Sequence, residues 1–129
     1  MMASVVYYLV LSVISHIPGQ TIADTNIQFW DKGAHFLAYS LLGFFFMMSL
    51  IRRRDEGIRT SAFLKAVVVV AFAGAADEIH QYFVPGRESS FLDFIADALG
   101  GTAGAALAVL WTYPSAVLNH FRNSRANIR

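Results

Sequence analysis

The sequence contains no cysteine and little charge. Because none of the 129 residues is a cysteine, disulfides, thiolate nucleophiles and cysteine-ligated zinc are excluded. Any catalysis must therefore use carboxylates, histidines or hydroxyl groups. Charged residues make up only 15% of the chain and hydrophobic residues 56%. This composition is too apolar for an ordinary soluble domain, and it predicts a single membrane domain spanning residues 1–129.

Basic patches are also missing. The formal net charge is +1, and no cluster of lysines and arginines with interleaved aromatic residues occurs outside one loop and the tail. The sequence therefore indicates no nucleic-acid partner. No internal repeat, low-complexity tract or linker divides the chain.

Four apolar segments approach the length of about 20 helical residues that a membrane core requires. They lie at 2–17, 33–51, 61–84 and 92–113. The sequence therefore predicts an all-α bundle of four transmembrane helices. The first segment is similar to a signal peptide, but no basic residue precedes it and no clear cleavage site follows, so we expect it to be retained.

Basic residues predict the orientation, because Lys and Arg near helix ends are retained in the cytoplasm. Five of them flank the loop after the second segment and three lie in the tail at 114–129, whereas Lys32 and Arg87 lie on the opposite side. Both termini, and with them the tail, are therefore predicted to be cytoplasmic. Most acidic residues lie on the outer side, so a polar pocket should open outward.

The third apolar segment is interrupted by polar side chains. The run at 62–76 contains one charge, Lys65, and is followed by Asp77-Glu78-Ile79-His80-Gln81. Each charge at the centre of a membrane helix costs roughly 2.5 to 3.5 kcal/mol on insertion scales, and such residues usually face a bundle interior or a water-filled cavity. This segment is the first candidate for function.

Helical spacing groups the polar residues further. Positions three and four apart are neighbours on a helix, so three of the four segments each present a stripe that carries carboxylates. The turn after the third segment adds an arginine, whose planar fork can pair with a carboxylate or a phosphate. The predicted pocket comprises Asp31, Lys32, His35, Asp77, Glu78, His80, Gln81, Arg87, Asp93 and Asp97.

Two interpretations of this cluster stay open. It is either a structural network that joins the outer ends of the helices or a functional pocket. Its carboxylates outnumber the charges that Arg87 and Lys32 can neutralise, which predicts protonated acids or a bound cation.

The spacing nevertheless favours no metal and no other cofactor. His35, His80, Asp77 and Glu78 are suitable ligand types, but a His-Glu-x-x-His motif is absent and adjacent side chains on a helix diverge by about 100 degrees. A nucleophilic triad is also not predicted, because no Gly-x-Ser-x-Gly elbow surrounds Ser89.

The fourth segment carries small residues at every fourth position, from Ala96 through Gly100 and Gly104 to Ala108. Small residues at this spacing allow two membrane helices to approach closely. The pattern favours packing inside the bundle, and a homodimer through the Gly100 and Gly104 face is the alternative.

Three motifs together resemble the VanZ-like family of small bacterial membrane proteins, over about residues 31–104. The resemblance implies an Asn or Asp at position 97, and this chain has the acid. The motifs are Asp31-Lys32-x-x-His35-Phe36-x-x-Tyr39-x-x-Leu42-Gly43, Asp77-Glu78-Ile79-His80-Gln81-x-x-Val84-Pro85-Gly86-Arg87 and Asp93-x-x-x-Asp97-x-x-Gly100.

The resemblance implies a multi-pass protein of the bacterial cytoplasmic membrane, in a family whose named member confers low-level resistance to the glycopeptide teicoplanin. It implies no mechanism. It agrees with the interpretation of the polar residues as one site.

Three functions are compatible with these observations. The first is an accessory or binding protein of the cell envelope, which holds an anionic lipid or lipid-linked wall component through Arg87 and Lys32 and affects teicoplanin susceptibility indirectly. The second is a membrane enzyme acting on a lipid phosphate or glycolipid, with His80 or His35 as general base. The third is an ion-coupled transporter, which the lack of an inverted repeat disfavours for a single chain.

Overall fold

The structure, a computed structural model, describes residues 1–15, 28–51, 59–87 and 89–126, and its regular elements there are all helical. The all-α prediction is therefore confirmed for these residues. Two helices contain segments long and apolar enough to span a membrane, Lys32–Ile51 and Phe91–Thr112. The helices are α1 (Met2–Ser15), α2 (Gln28–Ile51), α3 (Arg59–Tyr82) and α4 (Phe91–Ala126).

Two helix boundaries differ from those expected. α2 begins at Gln28, ahead of the predicted start at 33, and α4 continues to Ala126, beyond the predicted end at 113. α4 therefore contains Pro114, although proline removes a backbone hydrogen bond, and no glycine follows Pro114 to stop the helix.

The described helices expose large apolar side chains and bury several acidic ones. Phe72 and Trp111 are each 73% exposed, whereas Asp97 is 0% exposed. Aspartate is almost never fully buried in soluble proteins unless it is paired, and large apolar surfaces on soluble monomers are uncommon. The described helices therefore direct apolar side chains outward and acidic ones inward, which fits a lipid environment.

α2 and α4 contact each other backbone to backbone through glycines. A Cβ added at Gly100 would fall on the carbonyl oxygen of Phe36, and one added at Gly104 would fall on that of Ser40. The prediction that the small-residue face packs inside the bundle is confirmed. Since both contacts join residues 64 positions apart, the two helices run in the same direction.

Apolar clusters fill the bundle between the helices. One contains Tyr39, Leu42 and Val70, and another is built around Met47 with small alanines of α3 and α4. Polar residues of the predicted pocket form a polar cluster at the end of the bundle where α1 and α3 end and α2 and α4 begin. They lie there because their positions in the sequence are close to these helix ends.

Replacing Gly104 with alanine tests the contact between α2 and α4. The added methyl group would meet the Ser40 backbone, and overpacking of this kind costs about 1–3 kcal/mol. Gly33→Ala is the matched control, because no described residue lies within 4 Å of a Cβ added there and alanine favours a helix over glycine by about 1 kcal/mol.

Thermal unfolding in detergent, followed by tryptophan fluorescence, measures both variants. We expect a lower midpoint for Gly104→Ala and an unchanged or higher midpoint for Gly33→Ala. A Gly104→Ala midpoint equal to that of the wild type would contradict the close approach of the two helices.

Candidate functional site

Asp77 joins α1 to α3. The Ser15 hydroxyl donates to Asp77 Oδ2 at 2.9 Å, and the Gln81 amide donates to the same oxygen at 3.2 Å. All three residues are buried. Both donors are neutral, so these bonds orient the Asp77 carboxyl group without adding a positive charge beside it.

Lys32 and Asp93 connect the beginnings of α2 and α4. Lys32 Nζ lies 3.0 Å from Asp93 Oδ1, with side-chain exposures of 39% for the lysine and 4% for the aspartate. Asp93 also lies in the first turn of α4, where the positive end of the helix dipole stabilises a carboxylate. The ammonium group reaches solvent while the carboxylate stays inside.

His35 and Asp97 form a second link between α2 and α4. His35 Nδ1 lies 3.0 Å from Asp97 Oδ1, with side-chain exposures of 11% and 0%. The other oxygen, Asp97 Oδ2, is buried and finds no hydrogen-bond partner in residues 1–15, 28–51, 59–87 and 89–126. Gly74 of α3 makes room for it, because a Cβ at Gly74 would lie 3.0 Å from this oxygen and 2.8 Å from Asp97 Cβ.

Glu78 holds the turn between α3 and α4. Its Oε2 accepts a hydrogen bond from the Ser90 backbone N–H at 2.7 Å and one from the Ser89 hydroxyl at 3.3 Å. Its Oε1 is buried and has no hydrogen-bond partner among the described residues. One oxygen of this carboxylate is therefore anchored by the turn and the other is not.

The same turn positions Arg87. Gly86 has a φ of 76°, and the Arg87 N–H donates to the Val84 carbonyl at 3.1 Å. Proline followed by a glycine with positive φ is typical of a type II turn. The turn places Arg87, which is partly exposed, beside the polar end of the bundle.

The structure brings some of the predicted pocket residues together and places others apart. His35, Glu78 and Asp97 come from three different helices. Each offers one possible metal-ligand atom, and these atoms lie within 4.8 Å of one another. His80 is exposed, and both His80 and Arg87 have interacting partners. Asp31 belongs to α2, but its side chain lies outside the described residues.

Three contributors were missed by sequence reasoning. Ser15 lies at the end of an apolar helix with no spacing relation to Asp77, and Gly74 is one small residue within an apolar run. Neither position carries a sequence signal that names its partner. Ser89 lies beside Ser90 in the predicted turn after α3, and this position was the available signal that its hydroxyl could reach Glu78.

An apolar groove runs along the bundle between α1, α2 and α3. Its volume is about 360 Å³, and its lining includes Tyr8, Leu42, Val69 and Ala76. Ala76 precedes Asp77 in the chain, and Val69 lies two turns away, about 10 Å along the helix axis. Along α3 the groove therefore extends about two turns from the residue that precedes Asp77.

The arrangement combines buried acids with two cationic side chains. Asp77, Glu78, Asp93 and Asp97 are each 6% exposed or less, and Lys32 is already paired with one of them. Such a site can bind a cation directly, or it can bind an amphiphilic molecule at the boundary between polar and apolar surfaces.

Comparison with known proteins gives one family match. A family model described as VanZ/LLP1 matches residues 2–112, which extends beyond the motif-bearing segment at both ends and includes α1. No curated protein and no solved structure matches the chain.

Replacing Lys32 with methionine tests the link to Asp93. The substitution leaves a buried carboxylate without its cation, which costs roughly 1–3 kcal/mol. The cost is below that of a fully buried ion pair, because the lysine is partly exposed. Lys65→Met is the matched control, since Lys65 is an exposed lysine of α3.

Thermal unfolding in detergent should show a larger loss for Lys32→Met than for Lys65→Met. In an Asp93→Asn background, Lys32→Met should cost less than half as much. Equal costs in the two backgrounds would show that Lys32 stabilises the protein through some other contact.

Proposed function

The chain belongs to the VanZ/LLP1 family, and from this premise we propose that it is an integral membrane protein of the bacterial envelope that binds an anionic lipid or lipid-linked envelope precursor. Two apolar helices and the family match indicate a membrane protein. An effect on teicoplanin susceptibility would be indirect, through the bound precursor.

The observation that supports this proposal is the apolar groove, whose lining reaches the residue before Asp77. Ala76 lines the groove, and the next residue, Asp77, is part of the polar network. A volume of about 360 Å³ falls within the range of about 300–1,000 Å³ that is usual for ligand pockets. An amphiphile would therefore place its headgroup at the helix ends and its chain along α3.

Arg87 is the residue best suited to hold an anionic headgroup. Its guanidinium presents five N–H donors in a planar fork, so it can bind a phosphate while it keeps a contact within the protein. Lys32, in contrast, is paired with Asp93. The headgroup would then be recognised mainly from the α3–α4 turn.

Four membrane spans with cytoplasmic termini fit this function. The two apolar helices α2 and α4 run in the same direction, so the chain must return between them. α3, with 24 residues, is about 36 Å long and exceeds the hydrocarbon thickness of about 30 Å. The basic residues at 52–54 and in the tail favour the cytoplasmic side for that end of the bundle.

Single cysteines test this topology, because the natural chain has none. In intact cells, a membrane-impermeant maleimide should label Ser89→Cys, which lies in the turn between α3 and α4. It should label Asn127→Cys only after the membrane is permeabilised. The cysteine-free wild type controls for background, and labelling of Asn127→Cys in intact cells would reject the proposed orientation.

Native mass spectrometry of the detergent-purified protein tests lipid binding. We expect a discrete lipid adduct on the wild type, whose mass distinguishes a phospholipid from a polyprenyl phosphate. Ala76→Trp should remove it by filling the groove. Val68→Trp is the matched control, since Val68 is 51% exposed on the same helix and does not line the groove, and it should retain the adduct.

Arg87→Ala tests the headgroup contact separately. It should reduce the fraction of protein carrying the anionic lipid while the protein remains monodisperse. An adduct that survives both Ala76→Trp and Arg87→Ala, or a wild type with no adduct, would count against the proposed function.

A further inference from the structure

Three side chains from three different helices converge at the polar end of the bundle. His35 of α2, Glu78 of α3 and Asp97 of α4 each offer one ligand atom, and these atoms all lie within 4.8 Å of one another. From this convergence we propose a binding site for one divalent cation of the zinc type. The proposal is independent of lipid binding, because it rests on protein ligands alone.

Unpartnered oxygens provide the second observation. Glu78 Oε1 and Asp97 Oδ2 are buried and have no hydrogen-bond partner within the described part of the chain, and their residues are 6% and 0% exposed. A buried polar atom without a partner is unfavourable, and a native structure usually supplies a proton, water or ion. One cation placed among these carboxylates would compensate both residues at once.

The rest of the cluster already orients the ligands. Glu78 Oε2 is anchored by the Ser90 backbone N–H, which fixes the carboxylate. His35 Nδ1 is held against Asp97 Oδ1 at 3.0 Å. The Ser90 bond is of the kind that commonly orients a metal ligand, whereas the bond between Nδ1 and Oδ1 would be given up where both atoms bind the ion.

The donor set favours zinc or a similar ion. Imidazole suits zinc, iron, nickel and copper, whereas carboxylates also suit manganese and magnesium. Zinc holds both donors at about 2.0–2.2 Å in tetrahedral geometry, so two ligand atoms on one ion lie about 3.4 Å apart. Ligand atoms that now lie within 4.8 Å of one another would therefore move together by up to about 1.4 Å around the ion, and three protein ligands leave a fourth position open.

Helix geometry explains why the sequence favoured no metal. Asp77 and Glu78 are adjacent and diverge around α3, so the two cannot serve one ion. In the structure Asp77 faces Ser15, while Glu78 belongs to the group with His35 and Asp97. The three ligands come from three different helices, and spacing within one helix cannot indicate that they meet.

Titration of the chelator-treated protein in detergent tests the site. Isothermal titration with Zn²⁺ should show one ion per chain, and Co²⁺ should give a visible absorption band from direct coordination. Glu78→Gln and Asp97→Asn should each weaken Zn²⁺ binding by at least about tenfold. Asp77→Asn is the matched control, because Asp77 is adjacent, also buried and outside the ligand group, and it should bind with nearly wild-type affinity.

Size-exclusion profiles establish that each variant is folded before it is titrated. Equal Zn²⁺ affinity in the wild type, Glu78→Gln and Asp97→Asn would overturn the proposal, since binding would then not involve these carboxylates. The Co²⁺ band provides a measurement on the wild type alone, so a variant that fails to fold does not decide the question. Absence of both the band and stoichiometric Zn²⁺ binding would also overturn it.

Discussion

Four carboxylates lie buried where α1 and α3 end and α2 and α4 begin, and moving a carboxylate out of water costs several kcal/mol unless partners compensate. Each carboxylate receives a partner from another segment of the chain, so the cost of burying these acids is compensated only when the helices have packed together. The pairs are Ser15 with Asp77, Ser90 with Glu78, Lys32 with Asp93, and His35 with Asp97.

The glycine contacts between α2 and α4 make two of these pairs geometrically feasible. Because the backbones meet at Gly100 and Gly104, the short His35 and Asp97 side chains can reach each other. A larger residue in α4 would separate the helices and leave Asp97 without its imidazole partner. Close backbone packing and acid burial therefore depend on each other.

Sequence reasoning was effective where the signal is local. The lengths of the apolar segments located the four helices, and the spacing of Gly100 and Gly104 predicted packing inside the bundle. Sequence reasoning could not reach contacts that depend on the register between helices. Spacing within one helix could not indicate that His35 of α2 meets Asp97 of α4, because the packing of α2 on α4 determines which residues meet.

The parallel arrangement of α2 and α4 also has a mechanical consequence. If α2 slid by one turn toward the beginning of α4, the Ser40 carbonyl would meet Gly100, but the Phe36 carbonyl would meet the methyl group of Ala96. The glycine pattern accommodates one register and blocks the neighbouring one. The contact between α2 and α4 therefore resists sliding of one helix along the other, and we expect the two helices to move together as a pair.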